Sequence, residues 1–200
     1  MSSQNMNTRN TILQATWELL EAARGKDVRM TDIAKRAGVS RQAVYLHFPT
    51  RTDLLVATPL YIDEVKNVDE RLAASRAAET GIDRLDAFIE AWGGYIQEIH
   101  GVAKALMMIS DTDEAAKRAW DGRLQAIREG CRAVIDALHA DGMLSPRHSM
   151  DEATDIVSAL LSVQVWEHFT LTCGWSQAFY VEKTKELARQ SVVCESPILK

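Results

Sequence analysis

The stretch TDIAKRAGVSRQAVYLHF, residues 31–48, decides the fold of the N-terminal part of the chain. Gly38 can take the left-handed conformation that closes a helix, so we predict a short helix from Thr31, its N-cap, to this glycine. Ser40 is a second N-cap, and another short helix is predicted from it through Phe48. The stretch therefore predicts a helix-turn-helix.

The second of these short helices is amphipathic. Val44 and Phe48 are four residues apart and share the predicted inward face. Arg41, Gln42 and Tyr45 fall on the opposite, outward face. Arg can bond guanine in pairs, Gln can do the same with adenine, and Tyr and His reach phosphate oxygens. We interpret this helix as one that enters the major groove of DNA, with a purely structural corner as the alternative.

Four short motifs follow one another within residues 8–56. They are Thr31-Asp32-Ile33-Ala34, Ala37-Gly38-Val39-Ser40, Tyr45-x-His47-Phe48 and Arg51-x-Asp53-Leu54-Leu55. Together they resemble the TetR-like family of bacterial transcriptional regulators. The resemblance implies an N-terminal three-helix DNA-binding domain, residues 1–50, whose polar residues 1–7 we expect to form a flexible arm. It also implies a larger C-terminal helical domain, residues 51–200, that binds a small ligand and forms a homodimer through its last two helices.

The same resemblance assigns DNA contacts to single residues. Thr31 would touch phosphate, and Tyr45 and His47 would hold the DNA backbone. Arg51 stands where the family commonly has Lys at the head of the fourth helix, and because both are cationic we expect a phosphate contact to survive. Ala43 offers only an apolar contact, for example to a thymine methyl, or is a filler. The predicted DNA-binding residues are Thr31, Ser40, Arg41, Gln42, Ala43, Tyr45, His47 and Arg51.

Charge is distributed unevenly along the chain. Residues 1–60 hold eight Lys or Arg and five Asp or Glu, a net charge of +3, so the remainder carries −8 of the total of −5. A polyanion such as double-stranded DNA is attracted to the first part and repelled by the second. The asymmetry predicts that the two parts have different jobs.

Apolar residues recur at intervals of three and four along the chain, and no segment favours a strand, which predicts an all-α protein of about nine helices. Most predicted helices begin at a Ser or Thr that can cap them. The predicted helices are Thr8 to Arg24 with Gly25 as its stop, Thr31 to Gly38, Ser40 to Phe48, one from Thr50 bent at Pro59, one from Thr80, Glu114 to Ala140, Ser149 to about Cys173, and one from Ser176.

The C-terminal part carries large, soft side chains that would suit a cavity for a mostly apolar ligand. Side chains of this kind more often belong to an ordinary core, and the alternative for His100 and His168 is a structural role. The pair Gly93-Gly94 costs on the order of 1 kcal/mol per glycine within a helix, which indicates either a bend or a close approach by a ligand or a neighbouring helix. The predicted ligand-binding residues are Trp92, Tyr95, His100, Met107, Met108, Trp120, Trp166 and Phe169.

The segment Ile156–Trp166 has apolar residues on nearly every side of a helix. One face is expected to meet the protein's own core, and the other to meet a second copy. A two-fold pair would place two DNA-contacting helices on a pseudo-palindromic site. The alternative is a helix enclosed by its own domain.

Several classes of protein lack support in the sequence. It has no segment apolar enough to span a membrane and no secretory signal, so we expect a cytoplasmic protein. The spacing of Cys131, Cys173 and Cys194 is typical neither of disulfides nor of a zinc site, so we expect no metal or cofactor. Motifs of metalloproteases, phosphate-binding loops and serine hydrolases are missing, so we expect no enzyme. The predicted function is a ligand-responsive homodimeric repressor of an operator. The alternatives are an activator or architectural DNA-binding protein without effector, and a helical-bundle enzyme.

Overall fold

The computed structural model describes residues 3–23 and 28–194, with side chains described for residues 5–22 and 28–194. These residues form eleven α-helices, a π-helical segment and no strand, which confirms the all-α fold. Every helix in these ranges is too short or too polar to cross a lipid bilayer. The helices are α1 Ser3–Ala23, α2 Met30–Ala37, α3 Arg41–His47, α4 Arg51–Val65, α5 Val68–Arg71, α6 Ala73–Ala77, α7 Gly81–Ser110, α8 Glu114–Ala140, α9 Met150–Leu160, α10 Val163–Glu167 and α11 Gln177–Val192, with the π-helical segment His168–Thr172 before α11.

Local capping signals place most helix ends where the sequence predicts them. Gly38 has a φ of +68° and ends α2. The hydroxyl of Ser40 accepts a hydrogen bond from the N–H of Ala43 at 3.1 Å and opens α3. Further predicted starts are confirmed at Thr50, Thr80, Glu114, Ser149 and Ser176.

The first two helices begin earlier than predicted. α1 starts at Ser3, so the segment expected to be a flexible arm is helical from this residue, because no Gly or Pro interrupts it. α2 starts at Met30, and its N-cap is Arg29, whose side chain makes no capping bond. The capping role predicted for Thr31 is therefore wrong. The predicted stop at Gly25 lies outside the described residues.

The chain forms two compact units. The first comprises the described residues up to Asn67 together with Ile99–Leu124, and the second comprises Val68–Glu98 and the described residues from Gln125 onward. Helices α7 and α8 contribute residues to both. The predicted functional boundary after residue 50 falls inside the first unit, so a DNA-binding domain of residues 1–50 remains a functional prediction.

One apolar core supports α1 to α4 in the first unit. Val44 of α3 is fully buried and Phe48 is 2% exposed, as the inward face predicts. The second half of α7 and the first turns of α8 belong to the same core. Its buried members include Ile12, Leu13, Leu20, Ile33, Val44, Phe48, Leu54, Leu55, Val102, Leu106, Ile109 and Ala116.

In the second unit, α7 and α11 come into close contact at the glycine pair. A Cβ added to Gly93 would lie only 2.7 Å from Cγ2 of Val181, whereas one added to Gly94 would meet no atom within 4 Å. A neighbouring helix therefore accounts for Gly93. The core of this unit includes Leu85, Ile89, Cys131, Val134, Ile135, Leu138, Val157, Leu161, Ala188 and Val192.

The helix predicted from Ser149 to Cys173 is divided. α9 ends at Leu160, and Ser162 caps the start of α10 by accepting the N–H of Val165. The backbone carbonyls at the break find partners in distant aromatic side chains: Trp92 Nε1 donates to Leu161 at 2.8 Å and Tyr180 Oη donates to Leu160 at 3.2 Å. These bonds compensate for the lost helical ones. The described residues thus form eleven α-helices where about nine were predicted, since α5 and α6 also have no counterpart in the prediction.

Candidate nucleic-acid interface

The two faces of α3 differ sharply in burial. Val44 is part of the core, whereas Arg41, Gln42 and Tyr45 are exposed, and we call these three residues the reading face. The Ser40 cap fixes the start of the helix. The sequence prediction that α3 carries an apolar inner face and a polar outer face is thus met by the structure.

Two members of the reading face contact each other one helical turn apart. The guanidinium of Arg41 lies 5.5 Å from the ring centroid of Tyr45, and its Nη2 donates to the Tyr45 hydroxyl at 3.4 Å. A cation held against an aromatic ring loses rotamer freedom but keeps its other N–H donors. The contact leaves Arg41 on the exposed surface with donors available for an acceptor.

The neighbouring predicted contacts are accessible to different degrees. Thr31 is exposed in the first turn of α2, and Ser40 is exposed at the head of α3. The Ser40 oxygen accepts the Ala43 N–H, which leaves the hydroxyl hydrogen free to donate elsewhere. Ala43 and His47 are half-buried. Thr31 and Ser40 therefore present hydroxyl groups at two helix starts, and Ala43 offers less surface than its neighbours.

Arg51 does not extend freely from the head of α4. Its Nε donates to the carbonyl of Val28 at 3.0 Å, and its Nη1 donates to Asp113 Oδ2 at 2.5 Å. The side chains of Arg51 and Asp113 are 21% and 24% exposed. The guanidinium predicted to grip phosphate is thus engaged with the protein itself.

Two of the eight cations of residues 1–60 are paired with carboxylates of the same segment. Arg36 Nε donates to Glu18 at 2.6 Å, and Arg29 pairs with Asp32 at 3.1 Å. A hydrogen bond from Gln14, and next the one from Arg36, lowers the pKa of Glu18 below its ordinary value, so this carboxylate stays charged. The electrostatic attraction to a polyanion is therefore concentrated on fewer cations than the count suggests.

The segment that builds this surface matches a known family. A family model described as bacterial regulatory proteins of the tetR family matches residues 12–58, from the middle of α1 into α4. Residues 12–58 thus form the DNA-binding segment of the TetR family, and the chain is a TetR-like transcriptional regulator. The resemblance proposed from the motifs of residues 31–55 is confirmed, and with it transcription regulation by a DNA-binding helix-turn-helix protein.

Relatives of this TetR-family chain extend the similarity beyond the matched segment. The HTH-type transcriptional regulator CymR of Pseudomonas putida is 27% identical over 154 residues, which cover 76% of this chain and 73% of that protein. A regulator from Saccharomonospora viridis in complex with choline superposes with a TM-score of 0.74 at 20% identity, over 95% of this chain and 100% of that one. NalD of Pseudomonas aeruginosa, the secondary repressor of the MexAB-OprM multidrug efflux pump, gives a TM-score of 0.70 at 20% identity, over 96% and 99%. Both of these structures share the fold of this chain.

The eight side chains predicted to bind a ligand in this TetR-family protein fall equally into the two units. In the second unit, Trp92 and Tyr95 meet edge to face with ring centroids 5.8 Å apart. Tyr95 is 2% exposed, and burial is similarly deep at Trp166, which is 7% exposed. Phe169 stacks on Trp175 at 4.1 Å. These rings therefore contribute to the packing of the second unit.

Polar groups of the same aromatic residues already have protein partners. Trp166 Nε1 donates to Gln177 Oε1 at 2.9 Å, and the Gln177 amide donates in turn to the carbonyl of Gly93. Burial raises the pKa of Tyr180 to about 12, so its hydroxyl stays neutral and donates to the carbonyl of Leu160. The aromatic groups of this unit are thus left with apolar surface rather than unpaired polar atoms.

The other four predicted ligand residues lie in the first unit. Met108 is 53% exposed, whereas His100, Met107 and Trp120 are half-buried. Trp120 packs against the core of this unit. Met108 is thus the most exposed of these four side chains.

Sequence reasoning missed two residues beside the predicted DNA contacts. Leu46 is 80% exposed on α3, between Tyr45 and His47, and a Leu at such a position is normally expected to be buried. Asp113 lies far from α4 in sequence, so no local signal connects it with Arg51. For Leu46, the only clue in the sequence is its position on the short helix α3, between inward-facing and outward-facing residues. For Asp113 there is no such clue, because its contact with Arg51 arises only in the tertiary structure.

Proposed function

We propose that this TetR-family chain is a homodimeric repressor that binds a pseudo-palindromic operator and leaves it when a small, mostly apolar effector binds. The observation that carries the proposal is the reading face of α3, whose Arg41, Gln42 and Tyr45 are exposed while Val44 anchors the helix to the core. On such a face, Arg41 and Gln42 can bond base edges while Tyr45, about one helical turn further on, contacts the DNA backbone. Phosphate contacts are proposed for Thr31, Ser40 and His47 around it.

Exposed apolar side chains near the end of the described chain support the proposed homodimer. The segment Ile156–Trp166, expected to supply that surface, holds none of the large apolar side chains that are strongly exposed in the described residues. Leu171, Phe179 and Leu187 are instead 63%, 45% and 36% exposed. Burying such side chains against a second copy is worth about 1.5–3 kcal/mol for each one that is fully covered. We therefore move the proposed dimer surface to the π-helical segment and α11.

Aromatic side chains of the second unit support the proposed apolar effector. The indole N–H groups of Trp92 and Trp166 are already bonded, Tyr95 packs edge to face on Trp92, and Phe169 carries no polar group, which suits an apolar or aromatic compound. Aromatic rings also bind quaternary ammonium groups. Because the Saccharomonospora viridis relative was solved with choline, choline belongs beside uncharged aromatic compounds in a screen.

The DNA-binding part of the proposal is tested with a random-sequence duplex pool, from which the wild-type protein selects its preferred duplex. Affinity for that duplex is then measured for Gln42→Ala and Tyr45→Ala. Tyr45→Ala is expected to weaken binding to all duplexes by about tenfold, and Gln42→Ala to change the preferred base at particular positions by about 1–3 kcal/mol. Lys117→Gln, on the exposed face of α8, is the control and is expected to bind as the wild type does.

The effector part is tested by thermal unfolding and by release of the selected duplex. A ligand at about one hundred times its Kd stabilises the protein by about 2.7 kcal/mol. A compound that raises the Tm and releases the duplex supports a repressor with an effector. A protein that binds the duplex and responds to none of a broad apolar panel would instead fit an activator or architectural protein.

A further inference from the structure

Arg51 joins three segments of the first unit. It is the first residue of α4, its Nε donates to the carbonyl of Val28 at 3.0 Å, and its Nη1 donates to Asp113 at 2.5 Å. Val28 lies two residues before α2, and Asp113 directly precedes α8. One guanidinium therefore links the chain that leads into the helix-turn-helix with the heads of α4 and α8.

The carboxylate that receives this guanidinium is itself fixed. Asp113 Oδ1 accepts the N–H of Ala116 at 2.9 Å, and the Asp113 carbonyl accepts the N–H of Lys117 at 2.9 Å. Asp113 is thus the N-cap of α8, with one oxygen committed to the helix and the other to Arg51. It cannot follow Arg51 elsewhere without leaving the first turn of α8 uncapped.

The environment of this ion pair makes it stronger than a surface pair. Both side chains are about three-quarters covered, with 21% and 24% exposed. Charge-assisted hydrogen bonds that are partly shielded from solvent are screened less by salt than exposed ones. A guanidinium with a carboxylate at this distance also brings little net positive charge to a phosphate.

A second ion pair joins the same two helices. Arg123 of α8 pairs with Asp63 of α4 at 2.7 Å, and these side chains are 18% and 21% exposed. The pair lies about three turns further along both helices, and the charges on the two helices are reversed. Sliding α4 along α8 would break both pairs, so the two together fix the register of α4.

We propose that Arg51 is a positioning residue for DNA binding, which acts through Asp113 and Val28 to hold the segment before α2, and hence the reading face, in place against α8. It does not hold a phosphate. The inference rests on the proposed DNA-binding function and replaces the phosphate contact that the family resemblance implies for this residue.

The decisive variant is Asp113→Asn, because it keeps an oxygen that can cap α8 but removes the charge and places an amide NH₂ opposite the guanidinium. Binding to the duplex selected from the random pool is measured over a range of salt concentrations for Asp113→Asn, Arg51→Gln and the double variant. We expect each single variant to weaken binding about fivefold, with no further loss in the double variant. The slope of log K against log salt is expected to stay that of the wild type.

A phosphate contact at Arg51 gives the opposite pattern. Arg51→Gln would then lower the salt slope by about 0.9, and Asp113→Asn, which frees the guanidinium, would leave affinity unchanged or raise it. Either result would overturn the proposal. If Asp113→Asn does not fold, Arg51→Lys decides: a single ammonium cannot reproduce both bonds of the guanidinium, so we expect weaker binding, and full affinity would contradict the proposal.

Two further variants separate this inference from the proposed function. Arg118→Gln removes an exposed pair with Glu114 on the same helix and is expected to bind as the wild type does. Tyr45→Ala tests the reading face directly. Full affinity of Tyr45→Ala would refute the proposed function, whereas weak binding of Tyr45→Ala beside full affinity of Asp113→Asn would refute the positioning role alone.

Discussion

The α2–α3 turn and the segment from Met150 to Thr172 are both built of short helical pieces, yet different interactions specify them. In the turn, Gly38 ends one helix through its own left-handed conformation, and Ser40 opens the next by capping a residue three positions away. In the later segment, the break between α9 and α10 is stabilised by Trp92 and Tyr180, which are distant in sequence. Local signals alone thus define the proposed DNA-reading surface, whereas remote contacts add to the local Ser162 cap at the break between α9 and α10.

The largest expected effect concerns the contact between α7 and α11. Gly93→Ala places a methyl group against the buried, stiff side chain of Val181 and should lower the free energy of unfolding by about 2 kcal/mol. Gly94→Ala, its neighbour in open space, should raise it by about 0.5–1 kcal/mol through helix propensity. Urea denaturation measures both. Equal effects of the two substitutions would show that the close approach is not what requires Gly93.

The next effect concerns the break between α9 and α10. Trp92→Phe keeps an aromatic ring but leaves the Leu161 carbonyl without its donor, which should cost about 1–2 kcal/mol. Trp17→Phe is the control, because Trp17 Nε1 donates to Glu21 at an exposed site where water can replace it. If thermal unfolding gives the same small loss for both, the remote bond does not stabilise the break.

A smaller effect on stability is expected at the helix caps of the α2–α3 turn. Ser40→Ala removes the hydroxyl that caps α3 and should destabilise the protein by about 1 kcal/mol. Thr31→Ala removes a hydroxyl that caps no helix in this structure and should change stability by less than about 0.5 kcal/mol. Chemical denaturation with circular dichroism compares the two. A larger loss for Thr31→Ala would contradict the helix start observed at Met30.

The last prediction concerns the reactivity of two cysteine thiols in the second unit and needs no substitution. Burial raises the pKa of Cys131 to about 11, whereas Cys173 is exposed. The raised pKa favours folding below the ordinary value of 9.0, and this contribution is lost as the pH rises from there towards 11. In mildly alkaline buffer, iodoacetamide should label Cys173 first and Cys131 more than about a thousandfold more slowly, as peptide mass spectrometry can follow. Equal labelling rates would mean that the second unit opens far more readily than its packing suggests.

The accuracy of sequence-based prediction follows the same division. Caps at Ser40, Thr50 and Ser149 are local hydrogen bonds between residues three apart, so their helices could be predicted closely. The N-cap of α2 lies two residues before the predicted one, because Thr31 has the chemistry of a cap although the backbone turns into the helix at Arg29. The division between α9 and α10 could not be predicted, since a Ser within an apolar run carries no sign of the distant indole that completes the break.

The DNA-binding surface shows how far a motif can be carried over. The outward orientation of Arg41, Gln42 and Tyr45 follows from helical periodicity alone, and the structure agrees. The environment of Arg51 does not follow from periodicity, because its partner Asp113 belongs to another helix. A residue type at a family position therefore predicts a charge, but only tertiary structure reveals what that charge binds.

The measurement that tests the account most directly is selection from a random-sequence duplex pool by the wild-type protein and by Tyr45→Ala in parallel, followed by sequencing. We expect the wild type to enrich an inverted repeat with two half-sites about one or more helical turns apart, and Tyr45→Ala to enrich it much less. Equally strong enrichment of the repeat by both proteins, or enrichment of no repeat by the wild type, would contradict the central claim that the exposed face of α3 reads DNA.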